Sequence, residues 1–251
     1  MDRADLHFHL LPGLDDGPGS IDESIGLAAA AAADGTRLIV ATPHIRPGFV
    51  TDVSQLRERV RELGERLARE GLEISVRCGG ELGHYMVGRL RQDELDVIAN
   101  GPPGGRWLLV ESPFGGLGEE FTAATDELRQ RGFGVVMAHP ERAEGAGFGA
   151  GAEAIAHELF CGSLLQVNAW SLAGRHGPEA QSVARDLVAT RRAHILASDA
   201  HGGERQPALS LGVEFAEHAG LDPFAAVRLV SVNPLRLLAR GIHTPAYAAA
   251  A

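Results

Sequence analysis

The chain has 251 residues, 45% hydrophobic and 22% charged, and a formal net charge of −10 from 33 acidic and 23 basic residues. That size suits one large domain or two small ones of a globular protein, and the acidic balance argues against a nucleic-acid backbone as partner, because phosphate contacts draw on Lys and Arg. No apolar run reaches the roughly 18 residues that span a bilayer, the start MDRADLHFHL lacks an apolar signal core, and Cys78 and Cys161 make no disulfide framework, so a cytoplasmic protein without membrane insertion is expected.

In chain order, short apolar runs alternate with longer stretches of helical spacing. Ala4–Phe8 reads as the first strand. A helix follows over Ile21–Ala33, opened by a Ser20/Glu23 capping-box pattern and closed by Gly35. Next come a strand at Arg37–Ala41, a helix at Val53–Glu70 that Asp52 can cap and Gly71 ends, and a third strand at Ile74–Cys78. Trp107–Val110 precedes a helix at Glu119–Arg131, and Phe133–Ala138 precedes one at Glu153–Phe160. Leu164–Val167 precedes a helix at Pro178–Thr190 that starts on a tolerated first-turn proline. The seventh strand, His194–Ala197, leads to helical stretches at Leu209–His218 and Pro223–Leu238. Glu144–Gly151 reads as a rim loop, and the tail from His243 through Ala251 is expected to fray. Seven strand–helix alternations without hairpin signals predict a parallel α/β sheet with helical crossovers. At this length that means a (βα) barrel in a single domain, 1–251, with a doubly wound open sheet as the alternative.

What ends each strand is informative. Strand one ends in His7-Phe8-His9, with Asp15 and Asp16 in the loop beyond. Strand two leads to His44, strand three to Gly80-Glu81, strand four to Glu111, strand five to His139, and strand seven to Asp199 and His201. Strand six ends in Asn168. In a parallel barrel the strand C-termini converge on one face, where active sites are built. Side chains two apart on a strand share a side, so His7 with His9, and Asp199 with His201, form pairs. Imidazoles and carboxylates without thiolates suit hard or borderline divalent ions, and a bridging carboxylate suits the paired ions used in phosphoryl displacement. His84, His157, His176, His194, His218 and His243 fall on helices, loops or strand starts and read as ordinary surface or core residues.

The segments Asp5-Leu6-His7-Phe8-His9 and Pro12-Gly13-Leu14-Asp15-Asp16-Gly17-Pro18 resemble the opening of the PHP (polymerase and histidinol phosphatase) superfamily. More narrowly they resemble the bacterial CpsB/CapC-type protein-tyrosine phosphatases. The likeness continues through Thr42-Pro43-His44, Gly80-Glu81, Val110-Glu111, Ala138-His139-Pro140-Glu141-Arg142 and Ser198-Asp199-Ala200-His201. The resemblance implies a distorted (βα)7 TIM-like barrel holding three divalent ions, most often Mn, with Fe, Zn or Mg as other occupants. It implies that His7, His9, Glu81 and Asp199 bind one ion, that Glu81 bridges to a second shared with Glu111 and His139, and that Asp16, His44 and His201 hold the third. Arg142 matches the family's phosphate-binding arginine, and Arg205 is the nearest candidate for a second. The expected substrate is a phosphotyrosine protein, in this family a tyrosine-kinase tail that controls capsule or exopolysaccharide synthesis. Homo-oligomerisation, through a segment such as Asp22-Glu23-Ser24, is left open.

The chemistry expected is attack on phosphorus by a water that the ions activate, with the arginines neutralising the equatorial oxygens. A phenolate leaving group, pKa about 10, needs less help from a general acid than an alkoxide does. Phe49 and Phe114 are placed to border a phenyl ring. Cysteine-dependent phosphatase chemistry needs a Cys, five residues and then an Arg, and is excluded, because at that spacing Cys78 is followed by His84 and Cys161 by Val167. Two rivals remain: a histidinol-phosphatase-like enzyme acting on a small alkyl phosphate, and a non-catalytic metal-binding barrel.

Overall fold

The computed structural model describes residues 2–243, so the expected fraying from residue 244 onward lies outside the described residues. Its strands are β1 Arg3–Phe8, β2 Thr36–Ala41, β3 His44–Ile45, β4 Ser75–Cys78, β5 Glu81–Gly83, β6 Trp107–Glu111, β7 Gly134–Ala138, β8 Leu164–Asn168 and β9 Ile195–Ala197. Every ladder among them is parallel, in two sheets ordered β1-β2-β4 and β3-β5-β6-β7-β8-β9. The seven expected strands are therefore present as nine segments.

The two extra segments arise from local chemistry. Pro43 has no N–H to donate and interrupts the chain between β2 and β3. Gly79 and Gly80 interrupt it between β4 and β5, where a Cβ would lie 2.6 Å from Val40 and 2.7 Å from Ile45 respectively. Across the breaks Gly79 N–H donates to Ala41 O (2.9 Å) and Glu81 N–H to Pro43 O (3.0 Å). At the other margin Asp199 N–H donates to His7 O (3.0 Å) and His9 N–H to Ala200 O (2.9 Å), bringing the chain just past β9 against the end of β1. Buried Asp5 supports that junction by accepting from the Ser198 hydroxyl at 2.5 Å and from its N–H at 3.2 Å.

The helices are α1 Ile21–Ala33, α2 Leu56–Arg69, α3 Gln92–Ile98, α4 Glu119–Gln130, α5 Gly149–Phe160, α6 Ala169–Leu172, α7 Pro178–Ala189, α8 Leu209–His218, α9 Pro223–Arg228 and α10 Val232–Arg240. Ser20 caps α1 by accepting from Glu23 N–H, but Glu23 returns its carboxylate to Gly19 N–H (2.8 Å) rather than to Ser20. Asp52 does not cap α2. It folds a local turn by accepting from Ser54 N–H (2.9 Å), and α2 starts later without a side-chain cap. Residues Gly149, Ala150 and Gly151, read as loop, form the first turn of α5. The expected helix over Pro223–Leu238 splits into α9 and α10 because the ring of Pro234 excludes the helical carbonyl four residues back, at Val230. The carbonyls at the break are used elsewhere: Val230 O accepts from Ala4 N–H and Leu229 O from Leu196 N–H, both at 3.0 Å.

One cluster of buried side chains gathers Ala4, Leu6, Val40, Trp107, Leu109 and Val136 from β1, β2, β6 and β7, with Leu237 and Leu238 of α10 packed against them. Ile242, beyond α10, abuts Gly134 at the start of β7, so this plug lies at the N-terminal ends of the strands. The opposite ends remain for chemistry. β6 and β7 are buried along their whole length, as expected for strands covered on both faces. A larger cluster packs the helices around them.

Outside any site, Arg129 of α4 and Glu158 of α5 form a fully buried ion pair. Thr125 Oγ1 and Ser163 Oγ each donate to Glu158 at 2.7 Å, so the carboxylate is well satisfied. Glu158→Ala leaves Arg129 buried without its counter-charge and is expected to cost about 3–5 kcal/mol of stability, read from urea denaturation. A loss under about 1 kcal/mol would mean that water or Asp126 replaces the pair.

Candidate metal centre

The C-terminal ends of the strands bring His7, His9, Asp16, His44, Glu81, Glu111, His139, Asp199 and His201 into one chamber, as four overlapping groups whose ligand atoms lie within 4.8 Å of one another. The groups are His9/Asp16/His44/His201, His7/His9/Glu81, His7/His139/Asp199 and His44/Glu81/Glu111. This partition differs in part from the one the resemblance implies. His9 joins the Asp16 group, and His139 stands with His7 and Asp199 while its Nε2 also lies 2.9 Å from Glu81 Oε1.

Local backbone explains how the residues arrive. In β1 four residues, Asp5 to Phe8, oppose three in β2, Ile39 to Ala41. Such a bulge re-aims side chains, and here His7 joins the site although Leu6 before it already packs in the inner cluster. His139 (φ 36°) and Asp199 (φ 52°) are held in the left-handed region, a strain of the kind stored at functional sites.

Three of the five imidazoles are oriented by a partner at the other nitrogen. His7 Nδ1 lies 2.8 Å from Gln166 Oε1, His9 Nδ1 2.6 Å from Asp15 Oδ2, and His201 Nδ1 2.8 Å from the Asp199 carbonyl. Such second partners fix ring orientation in metal sites. The freed nitrogens face a common space. His7 Nε2 and His9 Nε2 are 3.3 Å apart, and Glu81 Oε2 is 3.4 Å from both and 2.8 Å from His44 Nδ1. Yet Glu81 Oε2 and His44 Nδ1, like His139 Nδ1 and His201 Nε2, are buried without an aligned hydrogen bond among the described residues. Donor atoms that aim between one another, with four carboxylates drawn from separate segments, fit a set of bound cations.

The electrostatics agree. Burial alone would raise Glu81, but His7, His139 and His44 hold it well below the usual carboxylate range. Asp199 is likewise driven low against burial, chiefly by His7 and His9. Burial and then repulsion from Glu81 raise Glu111, despite Arg46 Nη1 at 3.2 Å. Against the lowering effect of burial, Asp16 and Glu81 push His44 up to about 9, and Asp15, Asp199 and Glu81 raise His9 well above its ordinary value. In the metal-free protein these imidazoles hold protons at neutral pH, which an incoming cation must displace. Metal affinity is therefore expected to rise with pH from about 6 to about 9, with protons released on loading, as calorimetry in two buffers would register. An affinity flat across that range would remove His9 and His44 from the ligand set.

Arg142 and Arg205 sit at the chamber's edge. Arg142 Nη1 donates to Asp199 Oδ2 (2.9 Å), as does Asn168 Nδ2 (2.9 Å), and Arg205 Nη2 donates to Asp16 Oδ2 (2.7 Å). Phe49 stacks on His44 at 5.3 Å and Phe114 on His139 at 5.8 Å, with Arg46 and Arg142 over the respective rings. Both rings are substantially exposed, at 37% and 50%. Burial pushes the Cys78 thiol up to about 11, away from a nucleophile's range. Sequence reasoning gave no orienting role to Gln166, Asp15 or Asn168. Asp15 stood out only as the neighbour of Asp16 in the loop after strand one, and Asn168 only as the one strand end without a metal-type ligand. Asn168 caps α6 and steadies Asp199.

A family model described as "Capsular polysaccharide synthesis, CpsB/CapC" matches residues 3–239. The chain belongs to the CpsB/CapC family. It is 32% identical over 198 residues to tyrosine-protein phosphatase YwqE of Bacillus subtilis, covering 78% of this chain and 76% of YwqE. Tyrosine-protein phosphatase CpsB of Streptococcus pneumoniae is 26% identical over 215 residues, 81% of this chain and 84% of CpsB. A crystal structure from work on YwqE and CpsB, described there as unique metal-dependent tyrosine phosphatases, matches with a TM-score of 0.82 at 28% identity, over 97% of each chain. For this CpsB/CapC member, Asp15→Asn is expected to weaken metal binding roughly 10–100-fold by loosening His9. Titration of the metal-free protein measures this, and unchanged affinity would make Asp15 a loop residue only.

Proposed function

We propose that this chain is a metal-dependent protein-tyrosine phosphatase, built as one distorted (βα)7 barrel of the PHP type. The barrel reading counts β2 with β3, and β4 with β5, as single interrupted strands, and β9 as closing onto β1. The observation that carries the function is the convergence of five imidazoles and four carboxylates, all but Asp16 buried, on one site with Arg142 at its edge. His7, His9, Glu81 and Asp199 would hold one divalent ion, Glu81 with Glu111 and His139 a second, and Asp16, His44 and His201 a third, with Mn the favoured metal. Bound there, the ions supply positive charge toward phosphoryl oxygens and lower the pKa of a water.

The chain's own residues do the rest. Arg142 offers a planar fork of donors, only one of them engaged by Asp199, to the equatorial phosphoryl oxygens. Arg205, held on Asp16, would reach the same group from beside that carboxylate. Phe49 and Phe114 border an aromatic leaving group, and a phenol departs with little need of a proton donor. The physiological substrate in this reading is a phosphotyrosine tail of a kinase governing capsule or exopolysaccharide synthesis, met in the cytoplasm. Among the described residues no helix is long and apolar enough to cross a membrane.

The test is metal content together with manganese-dependent hydrolysis of phosphotyrosine peptides, against histidinol phosphate. Strong preference for phosphotyrosine is expected. Preference for histidinol phosphate would keep the centre and move the substrate, and metal-replete protein inert on every phosphate ester would leave a binding barrel.

A further inference from the structure

Next to the metal centre lies a second cleft of about 390 Å³ that shares Phe114 and Arg142 with it. Its other walls are the turn after β7, which carries Glu141 and Glu144, and the start of α7, which carries His176 before it and Glu179 within it. The cleft has three acidic side chains, of which burial lifts Glu141 to about 7, and one cation, Arg142. Glu144 and Glu179 are exposed and lack an ion-pair partner within 4.0 Å among the described residues. Arg142 turns Nη1 to Asp199 and keeps its remaining donors for the phosphoryl group. His176 bonds the Ser171 hydroxyl at 2.9 Å, and burial holds the ring neutral near 4.

Glu141 is the independent sign that something binds. It is only 2% exposed and faces this cleft. Its Oε1 accepts from Asn168 N–H (2.9 Å), but Oε2 is buried with no hydrogen-bond partner among the described residues. A buried acceptor left unmade costs free energy unless a donor arrives. The cleft also continues. Past Glu144 it opens into a hollow of about 470 Å³ lined by Gly116 and Gly145, with Phe148 74% exposed at the rim. Glycines let an extended main chain approach closely, so the path suits a polypeptide rather than a small molecule.

We infer that this cleft is a specificity subsite that takes a lysine or arginine side chain of the substrate polypeptide close to its phosphotyrosine. The inference rests on the tyrosine-phosphatase reading and adds to it a preference for basic flanking sequence. The ammonium or guanidinium would donate to Glu141 and sit between Glu144 and Glu179, while the phosphotyrosine lies beyond Arg142. An acidic residue at the same place would meet three acidic side chains.

The experiment uses the manganese-loaded protein and phosphotyrosine peptides of one length that differ only in carrying Lys, Ala or Glu within three residues of the phosphotyrosine. Each kcat/KM is divided by the same protein's value on free phosphotyrosine. The expected Lys-to-Glu ratio is roughly tenfold at low salt, and it shrinks as salt rises. In the E144Q/E179Q double variant, both positions being exposed and tolerant, the ratio is expected to fall below about twofold. A wild-type ratio near one, or a ratio that survives in the double variant, overturns the subsite while leaving the phosphatase intact. No turnover of free phosphotyrosine or any peptide overturns the phosphatase reading, and the subsite with it.

Discussion

Arg142→Ala is expected to lower phosphotyrosine turnover by roughly 10²–10³, the usual cost of removing one preorganised donor to a developing anion. Metal content should stay unchanged. The reason is that Asp199 Oδ2 has two supports, Arg142 Nη1 and Asn168 Nδ2, both at 2.9 Å. Removing the first leaves the second, so the carboxylate keeps its orientation toward His7 and His139. The loss should appear in kcat more than in KM, since the fork matters most when charge spreads over the phosphoryl oxygens. Arg142→Lys restores the charge but not the planar fork, and is expected to recover only part of the rate. Steady-state kinetics with metal analysis separates the cases. Wild-type turnover in Arg142→Ala would exclude the arginine, and loss of metal would make it a support for Asp199.

How much of this was legible in the sequence follows from the range of the interactions involved. The ligating residues stand at strand ends, where apolar runs stop and His, Asp or Glu begin, so the pattern is local and readable. Helix α1 and the capping of its first turn by Ser20 were readable for the same reason. The β1 bulge was not, because it is a register offset between Asp5–Phe8 and Ile39–Ala41, residues more than thirty positions apart. Nor were the left-handed backbones of His139 and Asp199, a conformation that Asp and His adopt more readily than most residues but only where surrounding structure holds it. Gln166 is the clearest case. On β8 it looks like any strand residue, and its role exists only because β8 lies beside β7 and reaches the Nδ1 of His7 on β1. His176 went the same way: an unremarkable loop histidine in sequence, and in space a wall of the cleft beside Arg142.

Glu81→Gln is the substitution with the largest expected effect, because no other residue is tied to so many ligands. Its carboxylate stands 2.9 Å from His139, 2.8 Å from His44 and 3.4 Å from both His7 and His9, and it is buried. Glutamine has the same shape, so packing is retained, but one oxygen becomes an NH₂ that no cation will accept, and one negative charge is gone. The loss in metal affinity should exceed the roughly 10–100-fold that removal of an orienting partner such as Asp15 costs. Turnover should fall with it, below the residual rate of Arg142→Ala. Thermal unfolding gives a readout that needs no substrate. A ligand that binds only the native state stabilises it by about 2.7 kcal/mol at a hundredfold excess over Kd. Manganese should therefore raise the Tm of the wild type and of Arg142→Ala, and leave Glu81→Gln nearly unmoved. Equal Tm increments in all three would mean that the ions are held without Glu81. The bridging role would then pass to Asp199, the other carboxylate that lies within 3.5 Å of both His7 and His9.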